Sequence, residues 1–150
     1  MRVALDTNRY VDLCKGTAET VAVLENAEVI VLPFVVLGEL RAGFAHGRRP
    51  AENERILRRF LLKNGVLVLF ADDQTTHQYA SLFRQLRKQG TPIPTNDMWL
   101  AALVLQHNLV LQREPQQENT GLLGEGCDGR VVLSRPKHGF ESRWGRQNSW

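Results

Sequence analysis

The sequence is poor in the features that cross-link a protein, bind a dinucleotide or cross a membrane. Its two cysteines, Cys14 and Cys127, lie far apart and outside any CxxC or CxxH spacing. Neither a disulfide framework nor a zinc site of the usual pattern is expected, and a reducing compartment suits such cysteine usage. The longest apolar run, Val29 to Leu37, is interrupted by Pro33, and it is far shorter than the roughly 20 residues a membrane-crossing helix needs. No membrane span is expected. The amino terminus reads Met1-Arg2-Val3-Ala4-Leu5-Asp6, placing a carboxylate where a secretory signal needs an uninterrupted apolar core. Export is not expected, and the cytoplasm is the expected location. Glycine is absent from Asp6-Thr7-Asn8-Arg9 after the first apolar run, which argues against a dinucleotide-binding turn. His46, His77, His107 and His138 are scattered without an HxxxH pairing, so histidine-based metal or acid–base chemistry has no pattern to rest on.

What is present describes one ordinary folded body. The chain has 150 residues, 43% hydrophobic and 23% charged, enough for one domain with its own core and too short for two of typical size. A formal charge of +3 is compatible with an acidic or nucleic-acid partner without requiring one.

Short apolar runs alternate with helical patterns. Arg2 to Asp6 reads as a buried strand that stops at a carboxylate, followed by short helices over Asn8 to Cys14 and Thr17 to Ala27. Glu28 to Leu32 lacks helical period and reads as a second buried strand, with Pro33 suited to a helix start. In Phe34 to Ala45 the residues Val36, Leu40 and Phe44 recur every fourth position and share a helix face. Ala51 to Lys63 is amphipathic, with Ile56, Leu57 and Phe60 on its apolar side and Gly65 closing it. Val66 to Phe70 is a third strand, Asp73 to about Gln89 a long helix, and Asn96 to His107 another, with Thr95 as the expected N-cap. Leu109 to Leu111 completes the set. This β-then-α order predicts an α/β fold with a central, mainly parallel sheet covered by helices on both faces.

Three carboxylates fall where such elements meet. Asp6 stands at the carboxyl end of the first strand, the edge where open parallel sheets bind ligands; a turn or helix-capping role fits it equally. Glu39 lies in an apolar helix between Gly38 and Leu40, where burying an unpaired carboxylate is costly; pairing with Arg41 is the plain alternative. Asp97 stands in the first turn of its helix, where the helix dipole alone favours an anion. Considered together, three carboxylates within about 4 Å would repel by about 4 kcal/mol per pair at an effective dielectric near 20. A hard divalent cation bound through oxygen, Mg²⁺ or Mn²⁺ in preference to zinc, relieves that repulsion. It can also activate water for attack on a phosphate.

The blocks around these residues are Leu5-Asp6-Thr7-Asn8, Leu37-Gly38-Glu39-Leu40-Arg41-Ala42-Gly43 and Pro94-Thr95-Asn96-Asp97-Met98-Trp99-Leu100-Ala101-Ala102. In order, spacing and flanking residues they closely resemble the motif blocks of PIN-domain ribonucleases, specifically VapC-type toxins of bacterial toxin–antitoxin pairs. The resemblance covers about residues 1 to 111. It implies a PIN-like α/β/α sandwich and a Mg²⁺- or Mn²⁺-dependent endoribonuclease that cuts RNA. It further implies a homodimer held in check by a small VapB-type antitoxin. It makes Asp6, Glu39 and Asp97 catalytic carboxylates of a metal site, with Asp6 and Asp97 as metal ligands and Thr7, Asn8 and Thr95 as supporting groups. Phosphatases of the haloacid-dehalogenase type resemble Asp-x-Asp at the first block, where this chain has Asn8 in the second acidic place.

Two basic groups, Arg55-Arg58-Arg59 and Arg84-Arg87-Lys88, are of a kind that contacts phosphates, but a solvated helix face or a dipole-favoured helix end explains either, and no RNA-contacting residue is assigned. Beyond residue 111 the chain departs from the family. VapC-type proteins follow the last of these strands with an aspartate, a His-Phe pair and another strand, whereas this chain reads Gln112-Arg113-Glu114-Pro115-Gln116-Gln117-Glu118 and continues rich in Gly and Arg. Glu114 is the nearest substitute for the fourth acid. The organisation expected is therefore a PIN-like core over 1–111 and an atypical, loosely packed tail over 112–150. The abrupt change of composition is what a shifted reading frame near codon 111 would produce. It also motivates an alternative function, a catalytically impaired PIN-like protein that engages an antitoxin or RNA without cutting.

Overall fold

The computed structural model describes residues 1–112. The expectations for Glu114 and for the tail lie outside them. The elements run β1 (Arg2–Leu5), α1 (Thr7–Cys14), α2 (Ala18–Glu25), β2 (Val29–Pro33), α3 (Phe34–His46), α4 (Pro50–Leu61), β3 (Val66–Leu69), α5 (Asp73–Lys88), α6 (Thr95–Gln106) and β4 (Val110–Gln112).

The four strands form one sheet in the order β3-β2-β1-β4, and every pairing is parallel. Val3 aligns with Ile30 on one side and Val110 on the other. The expected parallel α/β architecture is borne out. Val3, Ala4 and Leu5 are completely buried, because helices cover both faces of a central parallel strand and leave no solvent side for alternation. The main core joins these residues to Val31, Leu32, Val36, Leu40, Leu57 and Val104. Val36, Leu40 and Phe44 all point inward, as their spacing predicts, and so do Leu57 and Phe60. Gly65, at φ +82°, makes the turn from α4 into β3, and a Cβ there would stand 3.3 Å from the Glu28 carbonyl oxygen. Glycine meets both the left-handed backbone and the close approach.

One local expectation is corrected. Thr95 does not cap α6: it is the first helical residue, and Pro94 is the cap, with φ −56° and ψ 149°. The Pro94 carbonyl accepts the first helical bond, from Met98 N–H at 3.0 Å, so the chain turns helical one residue earlier than a threonine cap requires.

The helices α5 and α6 pack side by side and antiparallel. Leu82 of α5 meets the fully buried pair Ala101 and Ala102 of α6 in a small second cluster, with Tyr79 beside it. At one end of the pair Asp72 caps α5 in a capping box with Thr75. Gln106 Nε2 donates to both oxygens of the same carboxylate, at 2.8 and 3.1 Å. These donors hold the Asp72 carboxyl below its ordinary range, the Thr75 backbone N–H contributing most.

Candidate carboxylate site at the sheet edge

In a parallel sheet all carboxyl ends lie along one edge, and successive crossovers bring residues distant in sequence to it. Asp6 follows β1 directly. Its Oδ1 accepts from Arg9 N–H at 2.8 Å, making it the N-cap of α1, and the residue is 7% exposed. The capping role and the ligand-edge position thus coexist in one side chain. The adjoining α3 starts where β2 ends, and carries Glu39 one turn in. Through the linker after α5 the chain reaches the N-terminus of α6, placing Asn96 and Asp97 in its first turn.

Glu39 is where these segments meet. Thr7 Oγ1 donates to Glu39 Oε2 at 2.5 Å across 32 positions of sequence. Asn96 Nδ2 donates to Glu39 Oε1 at 2.9 Å across 57. Thr7 is the immediate neighbour of Asp6 and Asn96 that of Asp97, so all three sequence blocks converge on one carboxylate. The alternative of a Glu39–Arg41 pair is not what forms: Arg41 turns instead to Glu54 at 3.0 Å, and this hydrogen bond holds the Glu54 carboxyl below its ordinary range.

Of the supporting residues named from sequence, Thr7 reaches the carboxylate. Asn96 is not among them, although it stands between the supporting Thr95 and the catalytic candidate Asp97. Sequence carried no signal for it, since an amide donating across so long a separation leaves no local pattern. A second residue without a sequence signal is Arg9, which is 6% exposed. Its guanidinium binds Thr20 Oγ1 at 3.2 Å and pairs with Asp12 at 3.6 Å and Glu19 at 3.9 Å, tying α1 to α2 behind Asp6. On α1, burial pushes the Tyr10 phenol above its ordinary value, so it is not poised to act as a base.

The donor set is all oxygen, which matches a hard divalent cation in kind. Among the described residues no group of three or more His, Cys, Asp or Glu is gathered closely enough to hold a metal ion. Glu39 spends both oxygens on Thr7 and Asn96, and Asp6 uses one in the cap. The chemistry of the donors therefore fits a metal such as Mg²⁺, whereas the arrangement of these side chains is one of hydrogen bonds. Among the described residues no helix is long and apolar enough to cross a membrane.

Comparison with known proteins agrees with this geometry. A family model described as the PIN domain matches residues 3–117. Ribonuclease VapC1 of Haemophilus influenzae (strain R2866) is 33% identical over 111 residues, covering 71% of this chain and 81% of that protein. Among solved structures, VapBC-1 from nontypeable Haemophilus influenzae is similar with a TM-score of 0.61 at 32% identity, covering 74% of this chain and 84% of that one. VapBC2 from Rickettsia felis, solved bound to a DNA fragment from its promoter, is similar with a TM-score of 0.66 at 26% identity, covering 74% and 86%. The motif blocks, the parallel sheet that brings them to one edge and these likenesses lead to one conclusion: the chain belongs to the PIN-domain family and, within it, to the VapC type.

Proposed function

We propose that this protein is a metal-dependent endoribonuclease, the toxin of a toxin–antitoxin pair, cutting RNA phosphodiester bonds at Asp6, Glu39 and Asp97. The observation that carries the reading is the bonding of Glu39 to the neighbours of both aspartates. In this reading Asp6 and Asp97 would hold Mg²⁺ or Mn²⁺, which when bound neutralises phosphate charge and makes water a stronger nucleophile. The chain's own residues prepare the place. The Arg9 N–H fixes the Asp6 rotamer, Thr7 and Asn96 fix Glu39, and the α6 N-terminus favours the negative charge of Asp97. Drawing Asp6, Glu39 and Asp97 together would set like charges against one another unless a cation joined them, which would couple metal binding to formation of the active arrangement. A VapB-type antitoxin partner, a homodimer and a cytoplasmic location belong to the same reading. The VapBC complexes among the similar structures support the antitoxin partner.

The test is cleavage of RNA by the full chain over a Mn²⁺ titration. Metal-dependent cutting that Asp97→Asn removes is the expected result; no cutting at any metal concentration would overturn it. A second reading has its own observation. At the place of the family's fourth acid this chain has Glu114 followed by Pro115, a longer side chain on a restricted backbone. A chain impaired in this way engages antitoxin or RNA without cutting, and grafting a family-like segment after Leu111 then restores cleavage.

A further inference from the structure

The solvent face of α5 carries a feature the carboxylate site does not use. Phe83, Arg84, Arg87 and Lys88 are all exposed, and their spacing places them on one stripe of the helix, opposite the buried Leu82 and Leu86. Phe83 is 46% exposed, and the Arg87 guanidinium lies over its ring, 5.8 Å from the centroid. The two basic groups of the sequence differ in the aromatic beside them: Phe60 next to the first is buried, whereas Phe83 is exposed. In the first group Arg58 is paired with Glu54 at 3.4 Å, and Arg55 and Arg59 are, among the described residues, outside any ion pair. Among the described residues Arg84, Arg87 and Lys88 make no ion pair with an acidic side chain. Favourable placement at a helix C-terminus accounts for Arg87 and Lys88. It accounts neither for Arg84, a turn earlier, nor for a large aromatic held in water.

The register of α5 against α6 sets how far along the helix pair this stripe lies. Asp72 meets Gln106, and about two turns on along α5 and two turns back along α6, Tyr79 meets Trp99 at 4.4 Å between ring centroids. One more turn in that antiparallel register brings Phe83 level with Thr95, at the end of α6 that bears Asn96 and Asp97.

We propose that Phe83, Arg84, Arg87 and Lys88 form a binding track for the single-stranded RNA that flanks the cleaved phosphate, Phe83 stacking one base and the three cations contacting phosphates. The inference rests on the ribonuclease reading above. Its chemistry is that of single-strand binders, in which a positive groove follows the backbone and an aromatic face takes a base regardless of sequence. Charge complementarity selects RNA as the occupant over an apolar partner.

The test separates the track from the nuclease by measuring binding without cleavage. A fluorescent single-stranded oligouridine is titrated with the full chain in EDTA at several salt concentrations. The triple change Arg84→Ala, Arg87→Ala, Lys88→Ala is expected to weaken binding at least ten-fold and to flatten its salt dependence by about two ion equivalents. Phe83→Ala is expected to weaken binding on the order of ten-fold with the salt slope unchanged, and Phe83→Trp to restore it. All four side chains are exposed, and circular dichroism confirms that the variants fold. Unaltered affinity and slope in both variants, or no binding by the natural chain, overturns the track. So does weakening toward an acidic antitoxin peptide with RNA binding intact. A chain that binds through α5 yet cuts nothing keeps the track and loses the nuclease; one that cuts RNA and ignores these changes does the reverse.

Discussion

Two carboxylates in this protein are dressed alike. Glu39 accepts from a threonine hydroxyl and a side-chain amide, Thr7 and Asn96. Asp72 is bound by Thr75 and by the Gln106 amide, with the Thr75 hydroxyl between Asp72 Oδ1 at 2.9 Å and Gln106 Oε1 at 2.5 Å. The residue types are the same and the surroundings are not. Asp72 and Thr75 are three residues apart, one helix end closing on itself, and Gln106 fastens the neighbouring helix to it. Glu39 joins residues from three separate blocks, two of them adjacent to further carboxylates. A threonine–carboxylate–amide triplet is therefore no sign of chemistry in itself; what sets Glu39 apart is that its two donors, Thr7 and Asn96, each stand next in sequence to another carboxylate, Asp6 and Asp97.

Changes at each network should move different quantities. The largest effect is expected from Asp6→Asn, which keeps the α1 cap because asparagine caps as well as aspartate, yet removes a charge from the site. RNA cleavage should fall about 10²- to 10³-fold, with the thermal midpoint held; a fall in both would reduce Asp6 to a capping residue. Thr75→Val in the other network should do the opposite. Thr75 is completely buried, and losing its hydroxyl bonds should cost about 1–2 kcal/mol in urea unfolding with cleavage unchanged. Thr7→Val is predicted to sit between them. Glu39 loses one of its two donors, so kcat should drop about ten-fold while stability changes by about 0.5–1 kcal/mol. Equal loss of stability at Thr7 and Thr75 would erase the distinction drawn here.

The smallest effect concerns pH. The Asp72 carboxyl is held below its ordinary value by Thr75 and Gln106. Its contribution to stability is therefore complete above the unfolded value, about 3.9, and is lost as pH falls through the lower folded value. Unfolding midpoints measured between pH 5 and about 2.5 should decline less steeply in Asp72→Asn than in the natural chain; identical slopes would show that the acid sensitivity lies elsewhere.

Much of this was legible in the sequence, for reasons that can be named. The strands were found because burial on both faces makes them continuously apolar, as in Val29 to Leu32, and α3 because Val36, Leu40 and Phe44 keep helical spacing. The three carboxylates stand out by position: Asp6 ends an apolar run, Glu39 interrupts one, and Asp97 opens one. What stayed hidden depends on three-dimensional proximity. Asn96 stands beside stronger candidates, and nothing local to Arg9 announces that its guanidinium is buried against Thr20 and Glu19 of α2. The cap of α6 was misplaced because threonine is the better capping residue by type, while the backbone shape of Pro94 decided the matter.

The strand order carries a consequence for synthesis. Of the four described strands β1 is made before the others, and it lies in the middle of the sheet between β2 and β4, so its second hydrogen-bonded edge stays open until Val110 to Gln112 leave the ribosome. At roughly 5–20 residues per second, Asp6 is exposed to the cell for several seconds before the helix bearing Asp97 has been translated. The nascent chain thus lacks the last of the three motif blocks until residues 94–102 are made, and among the described strands the sheet is complete only when β4 joins β1. A chain stalled before residue 95 lacks α6 and β4, and with them Leu100, Val104 and the partner for the second edge of β1; because a domain folds as a unit, protease should cut it at β2 and β3, which the full chain protects.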